Sequence, residues 1–253
     1  MSKAESLLSS LRSLNPTQRS KFLTSASQAE AKQLLLDLDE AYKNDPWLWL
    51  TSEVFTRDEA TQQKRRWPDK PHLKELIHVM RQENLVAVPK SRRMMVSWTF
   101  AAMAVWEARY WPHHAIFIQS ENEDKAAFIT DKRCAFIENN LDEPLLRRRY
   151  KSIKTAKGAI GRITYPDTES YIWAIPQGAS VIRTYTFSRL YMDESDFQSE
   201  GHEALTAALS IAETGKESRI VLVTTSDGPQ GVVADICRGA GFTKWSDIEK
   251  FLQ

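Results

Sequence analysis

The chain has 253 residues, is 42% hydrophobic and carries a net charge of +1. That is enough apolar material to bury one large core with a helical appendage. The near-neutral balance does not mark a general nucleic-acid binder, so any such contact must use a local patch. The two cysteines, Cys134 and Cys237, are far apart and lack metal-ligand spacing, and they suggest no disulfide framework. No apolar run spans a membrane and the N-terminus lacks an apolar signal core, so a cytoplasmic, membrane-free protein is the default.

In chain order, residues 1–60 read as helices: Ser6–Leu14, one starting at Asn15-Pro16, Ala26–Tyr42, and a short one from Asp45-Pro46. No glycine lies among them, and they form a helical accessory subdomain. Lys64-Arg-Arg-Trp-Pro-Asp-Lys-Pro71 leads into a helix over His72–Gln82. Leu85–Val88 is a short buried strand that Pro89 should end, since proline removes a ladder donor. A basic turn comes next, and Ser97 opens an apolar helix over Trp98–Tyr110. Ala115–Ser120 reads as a second parallel strand and Asn122–Glu138 as a helix. Then come Arg147, Arg148, Arg149, Lys151, Lys154, Lys157 and Arg162. This cluster suits either phosphate contact or a solvated helix end. Ile163–Pro166 and Tyr171–Ile175 alternate like strands, Ser180–Tyr185 leads to a strand at Leu190–Met192, Gly201–Ala212 is a helix, and Arg219–Thr225 is a strand. Strands alternating with helices give an α/β fold with a mostly parallel central sheet and flanking helices, with a ligand at its carboxyl edge. The core spans 61–228, and 229–253 is a linker or lid.

Two segments carry chemistry. Leu190-Tyr-Met192 delivers Asp193 and Glu194 to the end of a buried strand, where ionised carboxylates are costly unless a cation or a proton-transfer task pairs with them. In a nucleotide hydrolase the first serves a metal and the second the attacking water. Upstream, the usual G-x-x-x-x-G-K-[ST] phosphate loop is missing, and the first glycine of the chain is Gly158. Lys90-Ser-Arg-Arg-Met-Met-Val-Ser97 nevertheless joins a strand to a helix N-terminus through a basic turn, an arrangement that binds anions. The standard spacing puts Ser97 at the magnesium hydroxyl, Val96 at the usual lysine, and Met95 and Lys90 at the two glycines. Lys90, at the head of the loop, still reaches the phosphates as a point charge, with Arg92 and Arg93 as further donors.

Together these segments resemble the ATPase domain of large terminase subunits, the DNA-packaging motors of tailed bacteriophages. In that family the phosphate-loop (Walker A) lysine is sometimes displaced to the loop's start, as in Lys90-Ser-Arg-Arg-Met-Met-Val-Ser97. Val181-Ile-Arg183 resembles the family's Ile/Val-Arg-Gly element before its Asp-Glu pair (Walker B), with Thr184 in place of the glycine. Ile220–Gly228 resembles its Thr/Ser-rich coupling motif. The resemblance covers about residues 65–230 and implies a P-loop ATPase fold. Lys90 and residues Ser91, Arg92, Arg93, Met94, Met95, Val96 and Ser97 would then hold ATP, Ser97 and Asp193 a Mg2+ ion, and Glu194 the water. Arg183 is an arginine finger acting on a neighbour or a structural ion-pair partner, Glu194 among the options. Thr224 and Thr225 are coupling residues or ordinary strand residues. Trp67 and Arg66 either contact the adenine or form a packed tryptophan beside exposed basic residues.

The resemblance further implies ATP-driven movement of double-stranded DNA into a procapsid, in the cytoplasm of an infected bacterial host. The partners would be a portal protein, a small terminase subunit and further copies in a ring, self-association being weak in isolation. After Gly228 only Asp235, Asp247 and Glu249 remain as carboxylates, so nuclease activity is not expected from this chain. A helicase-like nucleic-acid ATPase and a degenerate nucleotide-binding assembly module are the alternatives.

Overall fold

The computed structural model describes residues 28–58, 60–214, 218–225 and 230–239, so the helices expected near Ser6 and Asn15 lie outside the described residues. The chain forms two compact units. The first holds residues up to Lys70 together with Phe136–Arg148. Its helices are α1 (Gln28–Asn44) and α2 (Pro46–Glu53). Asp45 caps α2 by accepting the Leu48 N–H at 3.0 Å, with Pro46 at the first helical position. Trp49 and Leu50 are fully buried, and the Tyr42 hydroxyl donates to Glu53 at 2.8 Å. Strands β1 (Phe55–Arg57) and β2 (Lys64–Arg66) form an antiparallel hairpin.

This unit does not end near residue 60 as the sequence suggests. The hairpin folds β2 back on β1, and a later segment returns to the same unit. There the Asp142 N–H donates to the Glu53 carbonyl at 2.9 Å and the Glu143 N–H to the Glu53 carboxylate at 2.8 Å.

The second unit contains α3 (Pro71–Gln82), β3 (Leu85–Lys90), α4 (Val96–Tyr110), β4 (Ala115–Gln119) and α5 (Glu123–Ile129). A π-helical segment over Thr130–Ala135 continues α5. Next in the chain are β5 (Lys151–Lys154), β6 (Ile160–Tyr165), β7 (Ser170–Ile175), α6 (Ala179–Thr184), β8 (Arg189–Met192), α7 (Gly201–Thr214), β9 (Arg219–Thr225) and α8 (Val232–Gly239). The seven-stranded sheet runs β3-β9-β8-β4-β7-β6-β5. The first five strands pair in parallel, and β6 and β5 add on antiparallel. Helix α4 is buried along nearly its whole length, the pattern of a core helix.

Several details depart from the sequence reading. Pro89 does not end β3, because Pro89 pairs with Thr224 and Lys90 with Thr225. Strand β3 is an edge strand, where a missing donor is tolerated. The basic stretch at Lys151–Lys154 is not a helix end but an exposed strand, and Lys157 pairs with Asp124. Residues 180–184, to which the sequence reading gives no element, are helical. The described part of 229–253 is not a linker: Val232, Val233 and Cys237 of α8 pack into the core with Leu222 and Met192. The Asp196 carboxylate fixes the start of α8 by accepting the Val233 N–H at 2.8 Å. Among the described residues no helix is long and apolar enough to cross a membrane.

Candidate active site

The carboxyl ends of β3, β9 and β8 lie side by side in the sheet, and each contributes a polar residue to one cluster. Lys90 ends β3 and is only 7% exposed. Its Nζ donates to Glu194 Oε1 at 2.9 Å and to Thr225 Oγ1 at 3.0 Å. Thr225, which ends β9, donates its N–H to Glu194 Oε2 at 2.7 Å and its hydroxyl to Oε1 at 2.8 Å. A buried ammonium needs such counter-charge and acceptors. Beyond Met192, Asp193 continues the β8 ladder, its N–H donating to the Gln119 carbonyl at 2.8 Å. Glu194 then turns the chain in the left-handed region, with φ 50°. Non-glycine residues adopt that conformation at a cost and concentrate at functional sites.

The two adjacent carboxyls are tuned in opposite directions. Burial pushes Asp193 up, and the nearby Lys90 charge offsets it only in part. Burial also pushes Glu194 up, but the hydrogen bonds from Lys90 and Thr225 outweigh it and leave its carboxyl below the ordinary glutamate value. The Ser97 hydroxyl donates to Asp193 Oδ1 at 3.1 Å. This hydroxyl and carboxylate are hard oxygen donors of the kind magnesium takes. Among the described residues no group of three or more His, Cys, Asp or Glu side chains is arranged to hold a metal. A cation here would therefore complete its shell with water and phosphate oxygens, which is magnesium's habit.

The loop between Lys90 and α4 lacks glycine yet takes glycine-like conformations. Arg93 has φ 67° and Met95 φ 62°, both left-handed. Met95 occupies the position where the standard spacing puts the second glycine. It offers no side-chain cap to α4, so the first-turn N–H groups keep their capacity for an anion. Val96 is buried and Met94 half-buried, so these two hold the loop to the core. Ser91, Arg92 and Arg93 are exposed.

A cavity of about 920 Å3 opens over this cluster, and Lys90, Ser91, Arg92, Asp193, Glu194 and Thr225 help to line it. Its lining also includes residues that the motifs do not contain. They are Ser120 at the end of β4, Glu121, Asp124, Lys125 and Phe128 on or beside α5, and Arg133 in the π-helical segment. A signal for Ser120 did exist, since the residue after a parallel strand's carboxyl end faces the ligand crevice of such sheets. Arg133 had no such signal.

Of the remaining candidates, Thr224 is buried, and its hydroxyl makes only a long contact to the Thr225 carbonyl at 3.4 Å; of the two threonines, Thr225 alone joins the cluster. Arg183 lies in the last turn of α6, is exposed, and has no ion pair among the described residues. The Glu194 partners are Lys90 and Thr225, so Arg183 does not supply the structural pair considered for it. Arg66 and Trp67 are engaged inside the first unit. Arg66 pairs with Asp142 at 2.9 Å and lies over the Phe55 ring, while Trp67 is 4% exposed. That is the packed-tryptophan arrangement.

No protein-family model and no curated protein sequence matches the chain. Solved structures do. The fold is similar to that of the HK97 bacteriophage large terminase, with a TM-score of 0.59 at 10% identity over 79% of this chain and 42% of that one. The chain thus spans under half the length of that protein. The Thermus phage P74-26 large terminase ATPase domain aligns with a TM-score of 0.47 at 16% identity, over 63% of this chain and 66% of that one. The sheet order and the HK97 likeness agree on the fold of this protein: a mostly parallel sheet with flanking helices.

Stability measurements test both the cluster and the loop. Folded Glu194 gives up its proton more readily than the unfolded chain does. Its stabilising contribution is therefore whole at neutral pH and lost as pH falls through its lowered value. The sign reverses for Asp193, whose raised value makes the ionised form a net cost once pH rises through it. At pH 7, Glu194→Gln should lose roughly 1–3 kcal/mol of stability, whereas Asp193→Asn should gain roughly 0.5–2 kcal/mol. Urea unfolding of both variants checks this, and shifts of the same sign would contradict it. For the loop, Met95→Gly relieves a left-handed strain of about 1 kcal/mol that glycine's extra chain entropy largely cancels. It should change stability by less than about 1 kcal/mol, while Met95→Val, β-branched in the same conformation, should cost more than that. Urea unfolding of the pair reads the difference, and a neutral Val beside a costly Gly would refute the strain.

Proposed function

We propose that this chain is an ATPase of the large-terminase type, which uses ATP hydrolysis to drive double-stranded DNA into a viral procapsid. The observation that carries the reading is the convergence of Lys90, Asp193, Glu194 and Thr225 at one cavity, at the carboxyl ends of adjacent parallel strands, with Ser97 of α4 bonded to Asp193. The fold similarity to the HK97 large terminase supports the same class. Partners in this reading are a portal protein, a small terminase subunit and further copies of the chain in a ring, in the cytoplasm of the infected bacterial host.

The chemistry assigns each group a task. The first-turn N–H groups of α4, the loop backbone and the Lys90 ammonium bind the phosphates of ATP. Ser97 Oγ and the Asp193 carboxylate would hold a magnesium ion, which when bound supplies positive charge against the phosphate oxygens. Glu194 orients the attacking water and takes its proton. It does so only after Lys90 leaves it, because a carboxylate neutralised by an ammonium at 2.9 Å is a poor base. ATP itself provides the exchange, since its phosphates offer Lys90 a more highly charged partner. Arg183, exposed and without an ion pair among the described residues, acts on the site of a neighbouring copy. Thr225, bonded to both Lys90 and Glu194, senses the exchange and passes it to β9.

Magnesium-dependent ATP turnover tests the reading. Lys90→Ala should abolish turnover mainly through weaker binding. Glu194→Gln should still bind ATP but turn over roughly 10²–10⁴-fold more slowly. Arg183→Ala should bind ATP nearly normally and fail to hydrolyse it, and mixing it with Glu194→Gln should restore part of the activity at shared interfaces. Wild-type turnover in Lys90→Ala would refute the site. Turnover per molecule that is flat on dilution, with no rescue in the mixture, would refute the role of Arg183 in a neighbour's site.

A further inference from the structure

We propose that Arg133 is a second phosphate-binding cation of the same site, acting within its own chain on the terminal phosphate of the bound nucleotide. The inference rests on the ATPase reading above and adds a residue that neither the phosphate-loop nor the Asp-Glu pattern contains. Three observations place Arg133. It lines the cavity together with Lys90, Asp193 and Glu194. Its guanidinium lies 5.7 Å from the centre of the Trp98 ring and 5.7 Å from that of Phe128, within cation–π range of both. Trp98 directly succeeds Ser97, so this stacking holds the guanidinium beside the amino-terminal turn of α4, where an anion is favoured. Third, Arg133 acts electrostatically on the Asp193 carboxyl, as Lys90 does.

The backbone explains how the side chain arrives there. Phe128 and Arg133 are five residues apart, a spacing that an α-helix does not stack. The π-helical turn over Thr130–Ala135, just after Phe128, has i to i+5 hydrogen bonds and a wider turn, and Arg133 comes within cation–π range of Phe128. Single π-helical turns are frequent at functional sites.

Sheet order indicates which phosphate it meets. Lys90 comes from β3, Glu194 stands just past β8, and Arg133 comes from the helical run after β4, on the far side of β8 from β3. The water that Glu194 activates attacks the terminal phosphate, so a cation beyond Glu194 faces that end of the chain of phosphates. The need is chemical as well. A loop without glycine gives backbone N–H groups less freedom to wrap phosphate, and a bidentate guanidinium supplies donors in their place.

The experiment is calorimetric titration of the full chain with ATP and with ADP, each with magnesium. Arg133→Gln should weaken ATP binding about ten- to a hundredfold, the range for a hydrogen bond to a charged group, and ADP binding by less than roughly threefold. Arg133→Met keeps an apolar stem between the two rings and should show the same ATP-specific loss, which covers the case in which the glutamine variant fails to fold. ATP affinity unchanged in Arg133→Met, or equal losses for ATP and ADP, would overturn the proposal while leaving the ATPase reading intact. A wild-type chain that binds neither nucleotide would overturn both.

Discussion

The ion pair between Lys90 and Glu194 is the constraint on which the site depends. Lys90 closes an edge strand at 7% exposure, and an ammonium so buried requires a partner. Glu194 supplies the charge, and Thr225 supplies an acceptor to Lys90 and two donors to Glu194. The ends of β3 and β9, paired in the ladder at Lys90 and Thr225, are thus tied by side chains to Glu194, which lies past the end of the β8 ladder. The same contact neutralises the group proposed as the catalytic base. Under the proposed function, stability and chemistry make competing demands on one carboxylate, and a phosphate-bearing ligand would resolve them by taking over Lys90.

The turn after β8 gathers further connections. Ser195 Oγ donates to the Val223 carbonyl at 2.9 Å inside β9, and Asp196 holds the first turn of α8. The consecutive residues Asp193 to Asp196 therefore touch the Ser97 hydroxyl, the Lys90 ammonium, a neighbouring strand and a downstream helix. Gly231, at φ 121°, brings the chain so close to Asp196 that a side chain there would clash with its carboxylate. A displacement of Glu194 has a short mechanical route to β9 and α8. Under the proposed function, that is the route by which hydrolysis reaches surfaces that grip DNA.

Much of this was legible in sequence because it depends on period and position. Alternating strands and helices specify the parallel sheet, and an apolar strand ending in Asp193-Glu194 marks its carboxyl edge. Lys90 stands out in sequence as the loop's candidate cation because Val96 is apolar and Lys90 heads the same loop. Other features depend on long-range pairing. Pro89 carries no sign that β3 is an edge strand, and so none that the ladder runs through it. The return of residues 136–148 to the first unit rests on contacts to Glu53, far away in sequence. Arg133 was hidden for a different reason: a 3.6-residue period does not bring it to Phe128, and the π-helical turn just after Phe128 leaves no mark in composition.

The most direct test of the exchange at Lys90 is a crystal structure of the full chain with magnesium and a non-hydrolysable ATP analogue. The expected result is that Lys90 Nζ contacts phosphate oxygen and stands more than about 4 Å from Glu194, beyond ion-pair range, with Glu194 still bonded to Thr225 or turned toward water. An intact Lys90–Glu194 pair at 2.9 Å, with the phosphates held elsewhere, would contradict it.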